Sequence, residues 1–212
     1  MTLIYAQMSI SLDGYIAGPR DDPGNPLGDG GERVHQWIFD VAAWRAMQGM
    51  SGGRSGPDDA VVRETVDRNG AIVMGRHMFA TGEEPWGAEP PFHAPVFVVT
   101  HREREPLERQ GGTTFHFVTD GLEAAVDRAR AAAGGKDVEI AGGADVVRQA
   151  LVAGLLDELE VHVSPVLLGG GRRLFGEDER LAGVRLEQAR VVHSPAVAHI
   201  RYTVVHNQED AR

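Results

Sequence analysis

One stretch, residues 138–175, decides the fold: VEIAGGADVVRQALVAGLLDELEVHVSPVLLGGGRRLF. It predicts a strand, a glycine turn at Gly142-Gly143, a helix, a second strand and a glycine-rich loop, in that order. Apolar residues recur at helical spacing after the turn and alternate with polar residues from Leu159 onward. Gly154 predicts the end of the helix, because a left-handed C-terminal cap favours a residue without a Cβ atom.

A strand that ends in Gly-Gly and opens into a helix can bind an anion. Without Cβ atoms the turn is tight, and a ligand can reach the backbone. The first free N–H groups of the helix and its dipole favour a pyrophosphate there. However, Gly142-Gly143 lacks the full G-x-G-x-x-G spacing, and many such turns use glycine for geometry alone. A phosphate site and a plain turn are both open at this point.

The composition limits the classes of function. The chain has 212 residues, 42% hydrophobic and 25% charged, so we expect one globular domain over residues 1–212. No long apolar run occurs, and the N-terminal MTLIYAQMSISLDG lacks a signal pattern, so we expect a cytoplasmic protein without a membrane span. The absence of cysteine excludes disulfides and thiolate catalysis. A net charge of −10 argues against binding nucleic acid or anionic membranes.

Strand and helix patterns alternate along the rest of the chain. This alternation predicts an α/β fold whose central sheet is mostly parallel, with a C-terminal antiparallel hairpin at residues 186–192 and 198–205. Asp58 and Asp120 are expected to cap helices. Segments 19–32 and 48–57 are rich in glycine and predict mobile loops. The other strand patterns are residues 3–8, 71–74, 96–100 and 113–119, and the other helix patterns are residues 34–47, 58–69 and 120–133.

Four predicted strands end in glycine, arginine or a hydroxyl residue. In an open α/β sheet, ligands lie outside the carboxyl ends of the strands. Arginine suits phosphate oxygens, because its planar fork can donate two hydrogen bonds at once. The four strand ends therefore predict one extended anionic ligand, such as a nucleotide cofactor, lying across them. They are Gly75-Arg76, Thr100-His101-Arg102, Thr119-Asp120 and Gly142-Gly143.

An ordered set of motifs resembles the dihydrofolate-reductase-like superfamily. The branch is that of the reductase domain of bacterial bifunctional riboflavin biosynthesis proteins, the RibD C-terminal-like branch. This resemblance implies a three-layer α/β/α fold and hydride transfer from NADPH to a pterin-, pyrimidine- or flavin-like heterocycle. It also implies a homodimer, for which residues 161–168 are a candidate interface strand. The motifs are SLDGYIAGP, IVMGRHMF, PVFVVTHR, VEIAGGADVVRQAL and LDELEVHVSPVLLGGGRRLF.

The same resemblance implies which residues hold NADPH. Ile16 and Ala17 would flank the nicotinamide, and Gly170 and Gly171 would lie near its ribose or the substrate. Arg76 would lie near the 2′-phosphate or the pyrophosphate. The remaining matches are the phosphate turn Gly75, Arg76 and His77, the adenosine loop Thr100, His101 and Arg102, and the pyrophosphate turn Gly142, Gly143, Ala144, Asp145 and Val146. An acid at position 145 is unfavourable beside a pyrophosphate unless its side chain points away.

Candidate substrate residues follow from the residue types around the expected cleft. Asp13 is the local acid of the SLDG segment and our candidate catalytic residue, although Asp before Gly commonly caps its own turn. Tyr15 would orient a polar heterocycle with it. Trp37, Phe39 and Trp86 could stack on the substrate, with a core position as the alternative for Trp37.

The nine histidines form no close metal-ligand pattern, so we expect no metal. His162, His199 and His206 are expected at strand edges or on the surface. A nucleotide- or small-molecule-binding protein without turnover is the alternative to a reductase, because a fold does not fix a function.

Overall fold

The computed structural model describes residues 2–206, which form one nine-stranded sheet, a small two-stranded sheet, six α-helices and two short 3₁₀ helices. The helices are α1 Glu32–Phe39, α2 Ala42–Met47, α3 Pro57–Arg68, α4 Arg76–Gly82, α5 Leu122–Ala132 and α6 Ala144–Val152. The strands are β1 Ile4–Ser11, β2 Tyr15–Ala17, β3 Asn69–Gly75, β4 Pro95–Val99, β5 Leu107–Glu108, β6 Thr114–Val118, β7 Asp137–Gly142, β8 Glu158–Ser164, β9 Arg172–Arg173, β10 Arg185–His193 and β11 Ala198–Val205.

The large sheet has the order β10-β11-β8-β1-β7-β3-β4-β6-β5. Its six central strands, from β8 to β6, are parallel to one another. Strand β11 pairs antiparallel with β8 and with β10, and β5 pairs antiparallel with β6. The expected parallel sheet with a C-terminal antiparallel hairpin is therefore confirmed.

Helices cover both faces of the sheet. Alternate residues such as Ala6, Val73 and Ile140 point to one face, where they pack with α5 and α6. Ile72 and Met74 point to the other face, which α1, α2, α3 and α4 cover. The result is the expected three-layer α/β/α arrangement. No helix within residues 2–206 is long and apolar enough to cross a lipid bilayer.

Local backbone signals fix several helix boundaries. Gly154 has φ +65° just after α6, as a glycine cap requires. The predicted single helix over residues 34–47 is instead two helices, because Val41 is extended with ψ 134°. Asp58 and Asp120 do not cap: glycines 56 and 121 occupy the N-cap positions of α3 and α5. Asp58 turns to Ser194 and His199, and Asp120 pairs with Arg128.

Residues 18–31 form a compact lobe rather than the open loop that their composition suggests. Asp22 and Asn25 exchange backbone hydrogen bonds, and Arg20 pairs with Asp29. The lobe closes tightly at its neck, since a Cβ atom on Gly18 would lie only 2.0 Å from the Asp29 carbonyl oxygen. These contacts close the lobe on itself.

The position of β8 inside the sheet predicts a large cost for truncating its core side chain. Leu159 on β8 is fully buried, whereas Leu186 on the edge strand β10 is 39% exposed. We expect Leu159→Ala to lower the free energy of unfolding by about 2–5 kcal/mol. The matched variant Leu186→Ala should change it by about 0.5 kcal/mol or less. Urea unfolding of both variants measures this, and equal losses would contradict the strand order.

Candidate functional site

The carboxyl ends of three neighbouring parallel strands form one rim. Strands β7, β3 and β4 are adjacent, and the register pairs Met74 with Gly142 and Gly75 with Val99. The residues that follow these strands, Arg76, Thr100 and Gly143, therefore lie along the same edge. The structure brings three of the four predicted strand ends together, and their binding of phosphate stays a prediction.

Gly75 permits close contact between the end of β3 and the beginning of α6. A Cβ atom at this position would lie 2.8 Å from Val146 Cγ2 and 3.6 Å from the Gly143 nitrogen. Any side chain would push these two elements apart. The glycine therefore sets the distance between two of the segments that form the rim.

The beginning of α6 offers backbone donors. Gly143 is the N-cap, and its carbonyl oxygen accepts from the Val146 and Val147 N–H groups at 3.1 and 3.3 Å. The peptide bond between Gly142 and Gly143 is cis. Within residues 2–206, the N–H groups of Ala144 and Asp145 have no hydrogen-bond acceptor. A Cβ atom on Gly143 would meet nothing within 4 Å, so the space beside these donors is open.

Two arginines of the rim lack an internal partner. Arg76 and Arg102 are exposed, and among the described residues neither guanidinium has a carboxylate within ion-pair distance. His101 is also exposed, while Thr100 is buried and its hydroxyl accepts from the Arg102 N–H at 3.1 Å. Asp145, in contrast, pairs with Arg148 one helical turn away. The donor set fits a phosphate-bearing group, and the acid at the beginning of α6 is already paired with a cation.

The opposite wall is the small sheet of β2 and β9. Ala17 pairs with Arg172, and a Cβ atom on Gly171 would lie 2.1 Å from the Ala17 carbonyl oxygen. Gly171 is thus needed for close approach of two backbones. Arg148 of α6 donates to the carbonyl oxygens of Arg173 and Leu174, both at 3.0 Å, which attaches this wall to the rim.

The side chains of the β2 wall are mostly enclosed by protein. Ile16 and Ala17 are buried among core residues, and Tyr15 lies under the Arg173 guanidinium at 4.6 Å from its ring centre. A Cβ atom on Gly170 would lie 3.6 Å from Pro19. Contact of these residues with a nicotinamide or a substrate stays a prediction.

Asp13 holds two loops together. Its Oδ1 accepts from the Ser11 hydroxyl at 2.6 Å and from the Leu168 N–H at 3.1 Å, and its Oδ2 accepts from the Gly169 N–H at 2.7 Å. These hydrogen bonds, that of Ser11 foremost, lower the pKa of Asp13 to about 2. The carboxylate is thus occupied by the protein, and a catalytic role for it stays a prediction.

Asp21 of the lobe joins an arginine and a histidine across the mouth of the site. It accepts from Arg172 at 2.8 and 3.1 Å and lies 2.8 Å from His77 Nε2. Burial raises the pKa of Asp21, but hydrogen bonds from Arg172 and His77 outweigh it and leave the pKa below its ordinary value. Sequence reasoning missed Asp21 and Arg172, because they lie 151 positions apart and neither stands in a recognisable motif.

The three aromatic candidates do not form one wall. Trp37 is buried at 5% exposure and donates from its indole N–H to the Ser9 hydroxyl at 3.1 Å. Trp86 packs with Phe92 and Phe115 near β6, in a different hydrophobic cluster. Phe39 is 42% exposed at the end of α1. The three side chains therefore lie in different surroundings, and the stacking role of each stays a prediction.

His162 and His199 are buried, which corrects the expectation of edge or surface positions. Their Nδ1 atoms are 2.8 Å apart, and His199 Nε2 lies 3.2 Å from Asp58. Burial lowers the pKa of both imidazoles. They pack against the Trp37 ring and fill the space between the sheet and α1. No group of three or more potential metal ligands occurs among residues 2–206.

The sheet order and its two helical layers define a protein of the dihydrofolate-reductase-like fold. The sequence model of the RibD C-terminal domain matches residues 2–200. The chain therefore belongs to the RibD C-terminal domain family, and the resemblance inferred from its motifs is confirmed.

Three solved structures share this fold over nearly the whole chain. A protein described as a riboflavin biosynthesis protein, from a Shewanella species, has TM-score 0.68 and 22% identity, covering 97% of this chain and 100% of that one. A pyrimidine reductase-like protein from Corynebacterium diphtheriae has TM-score 0.54 and 17% identity, with coverage of 97% and 93%. Dihydrofolate reductase from Enterococcus faecalis, complexed with NADP(H), has TM-score 0.52 and 14% identity, with coverage of 95% and 96%. No curated protein matches the sequence.

The contacts of Asp13 predict an unusual titration. Because the pKa of Asp13 is lowered, the stabilisation from its hydrogen bonds to Ser11, Leu168 and Gly169 is complete above the ordinary carboxyl value of 3.8. This stabilisation is lost as the pH falls through about 2. We expect the amide proton of Gly169 to shift in NMR spectra with a midpoint near pH 2. The same amide in Asp13→Asn should show no such titration. A midpoint near 3.8 would show that these hydrogen bonds do not lower the pKa of Asp13.

Proposed function

We propose that this protein is an NADPH-dependent reductase that transfers hydride to a small heterocycle of the pterin, pyrimidine or flavin type. Membership of the RibD C-terminal domain family and the dihydrofolate-reductase-like fold support a reductase. The observation that carries the proposal is the rim. Arg76, Arg102 and the free N–H groups at the beginning of α6 face one edge of the sheet, where a dinucleotide could cross three strands.

NADPH, when bound, supplies the hydride, so the chain's own residues need only bind, orient and exclude water. Arg76 and Arg102 are suited to phosphate oxygens, and the N–H groups of Ala144 and Asp145 to a pyrophosphate. Ile16 and Ala17 give an apolar wall for the nicotinamide end.

A binding protein without turnover is the second candidate. It is favoured by the packing of Trp37, His162 and His199, which fills the space between the sheet and α1 and leaves less room there for a substrate. Two concavities of the described chain, of about 330 and 580 Å³, lie elsewhere. The first is beside Asp120, Leu155 and Arg180, and the second is on α3.

One experiment separates these two candidates. A reductase should raise its melting temperature with NADPH and oxidise NADPH when pterin, pyrimidine or flavin acceptors are added. A binding protein should show the thermal shift alone. The absence of any shift at millimolar NADPH would refute both.

We also propose a homodimer, and the edge of the sheet supports it. Within residues 2–206, strand β10 pairs with β11 alone and exposes Val191 at 49%. An open, apolar edge of this kind favours pairing with another chain. Strand β8 pairs with β1 and β11, so residues 161–164 offer no free strand edge within residues 2–206, and a role of residues 161–168 in the interface stays a prediction. We expect Val191→Lys to shift the sedimenting species from dimer to monomer, and a wild-type monomer would refute the proposal.

The exposed guanidinium of Arg76 predicts a cofactor preference. We expect Arg76→Ala to weaken NADPH by about tenfold and NADH by less, because a charged hydrogen bond to the 2′-phosphate is worth about 1.5–3 kcal/mol. Isothermal titration calorimetry measures both dissociation constants. The control is Arg185→Ala, an equally exposed arginine on β10. Equal weakening of NADPH and NADH would show that Arg76 does not contact the 2′-phosphate.

A further inference from the structure

At the mouth of the site, the Asp21 carboxylate contacts an arginine and a histidine in the way that an anionic ligand would. Asp21 accepts two hydrogen bonds from the Arg172 fork, and His77 Nε2 lies 2.8 Å from the same carboxylate. The Asp21 side chain is only 16% exposed, although it comes from a surface lobe. A guanidinium fork beside an imidazole is also a suitable arrangement for a phosphate group.

The acids of the lobe fall into two kinds. Asp22 accepts from the Gly24 and Asn25 N–H groups, and Asp29 pairs with Arg20, so both act inside the lobe. Asp21 instead reaches out of the lobe to β9 and α4. The closed shape of the lobe therefore does not need the contacts of Asp21, and those contacts serve the mouth of the site.

The two side chains that Asp21 contacts, His77 and Arg172, belong to the candidate site. His77 follows Gly75-Arg76 directly at the beginning of α4, and Arg172 follows Gly171, whose backbone touches Ala17. Arg172 Nη2 and His77 Nε2 are 3.2 Å apart, so the two groups are close enough to share one anion. Arg76, whose guanidinium has no carboxylate partner within residues 2–206, is adjacent to His77 in sequence.

We propose that His77 and Arg172 form a phosphate subsite, and that Asp21 occupies it until a phosphate-bearing ligand displaces its carboxylate. The subsite rests on the proposed function only for the source of the phosphate, which is either the dinucleotide cofactor or a phosphorylated substrate. Displacement releases the lobe from β9 and α4, so ligand entry and lobe opening are one event.

This exchange lowers the apparent affinity for any phosphate ligand. A ligand binds only the fraction of molecules in which the subsite is free, and its apparent dissociation constant rises in inverse proportion to that fraction. Removing the Asp21 charge should increase the free fraction. Removing the Arg172 charge should destroy the subsite itself. The two substitutions break the same ion pair but are expected to change affinity in opposite directions.

The test uses three single variants of the full chain. Asp21→Asn removes the occupying charge, Arg172→Gln removes the fork, and Asp22→Asn makes the same charge change one residue away as the matched control. Three probes are titrated at constant ionic strength, because salt screens exposed charges. They are inorganic pyrophosphate, ribose 5-phosphate and NADPH.

Against Asp22→Asn, we expect Asp21→Asn to bind at least one of these probes about threefold or more tightly. Arg172→Gln should bind the same probe about tenfold more weakly than the wild type. A gain with NADPH identifies the cofactor as the source of the phosphate, and a gain with ribose 5-phosphate alone identifies a phosphorylated substrate. Wild-type melting temperatures for the variants show that folding is unaffected.

Equal or weaker binding of all three probes by Asp21→Asn would overturn the subsite. If NADPH still bound in that case, the proposed function would stand without it. If no variant bound NADPH but Asp21→Asn gained ribose 5-phosphate, the subsite would stand and the proposed cofactor would fall. The two proposals therefore fail on different measurements.

Discussion

The parallel pairing of β7, β3 and β4 is the constraint on which the rest of this molecule depends. Parallel strands place all their carboxyl ends on one edge, so each loop that leaves them starts from the same line. The glycines then set how closely those loops approach, as at Gly75 against Val146. Although the net charge of the chain is −10, this edge presents Arg76 and Arg102, which have no carboxylate partner among the described residues. These local donors would attract an anion even though the protein as a whole is negatively charged.

Because helices cover both faces of the sheet, some polar side chains on its strands are buried. Alternating polar positions on β8 would face water in a two-layer protein, but here α1 and α3 cover them. His162 and Glu160 are therefore buried, and each finds partners on neighbouring elements: His199 for the first, Arg190 and Arg201 for the second. These polar contacts fix the register of the outer strands, since a shifted strand would leave charged groups buried without partners.

The sequence was sufficient for features that depend on local signals. Hydrophobic periodicity predicted the order of the elements, and the glycines predicted the strand ends that form the rim. It was insufficient where distant contacts decide the outcome. No glycine or proline in the sequence indicates the helix break at Val41. The Asp58 side chain contacts the buried His199 instead of capping α3. The contact between Asp21 and Arg172 joins segments whose closeness only the folded sheet creates.

The close approach at Gly75 also limits how this protein could change. A methyl group there would overlap a branched side chain on α6 rather than a flexible one. Position 75 could therefore accept alanine only after position 146 had become smaller, and the reverse order would pass through a strained intermediate. Seventy residues lie between the two positions in the chain, yet substitutions at them are coupled, because the order in which they occur decides whether they are tolerated.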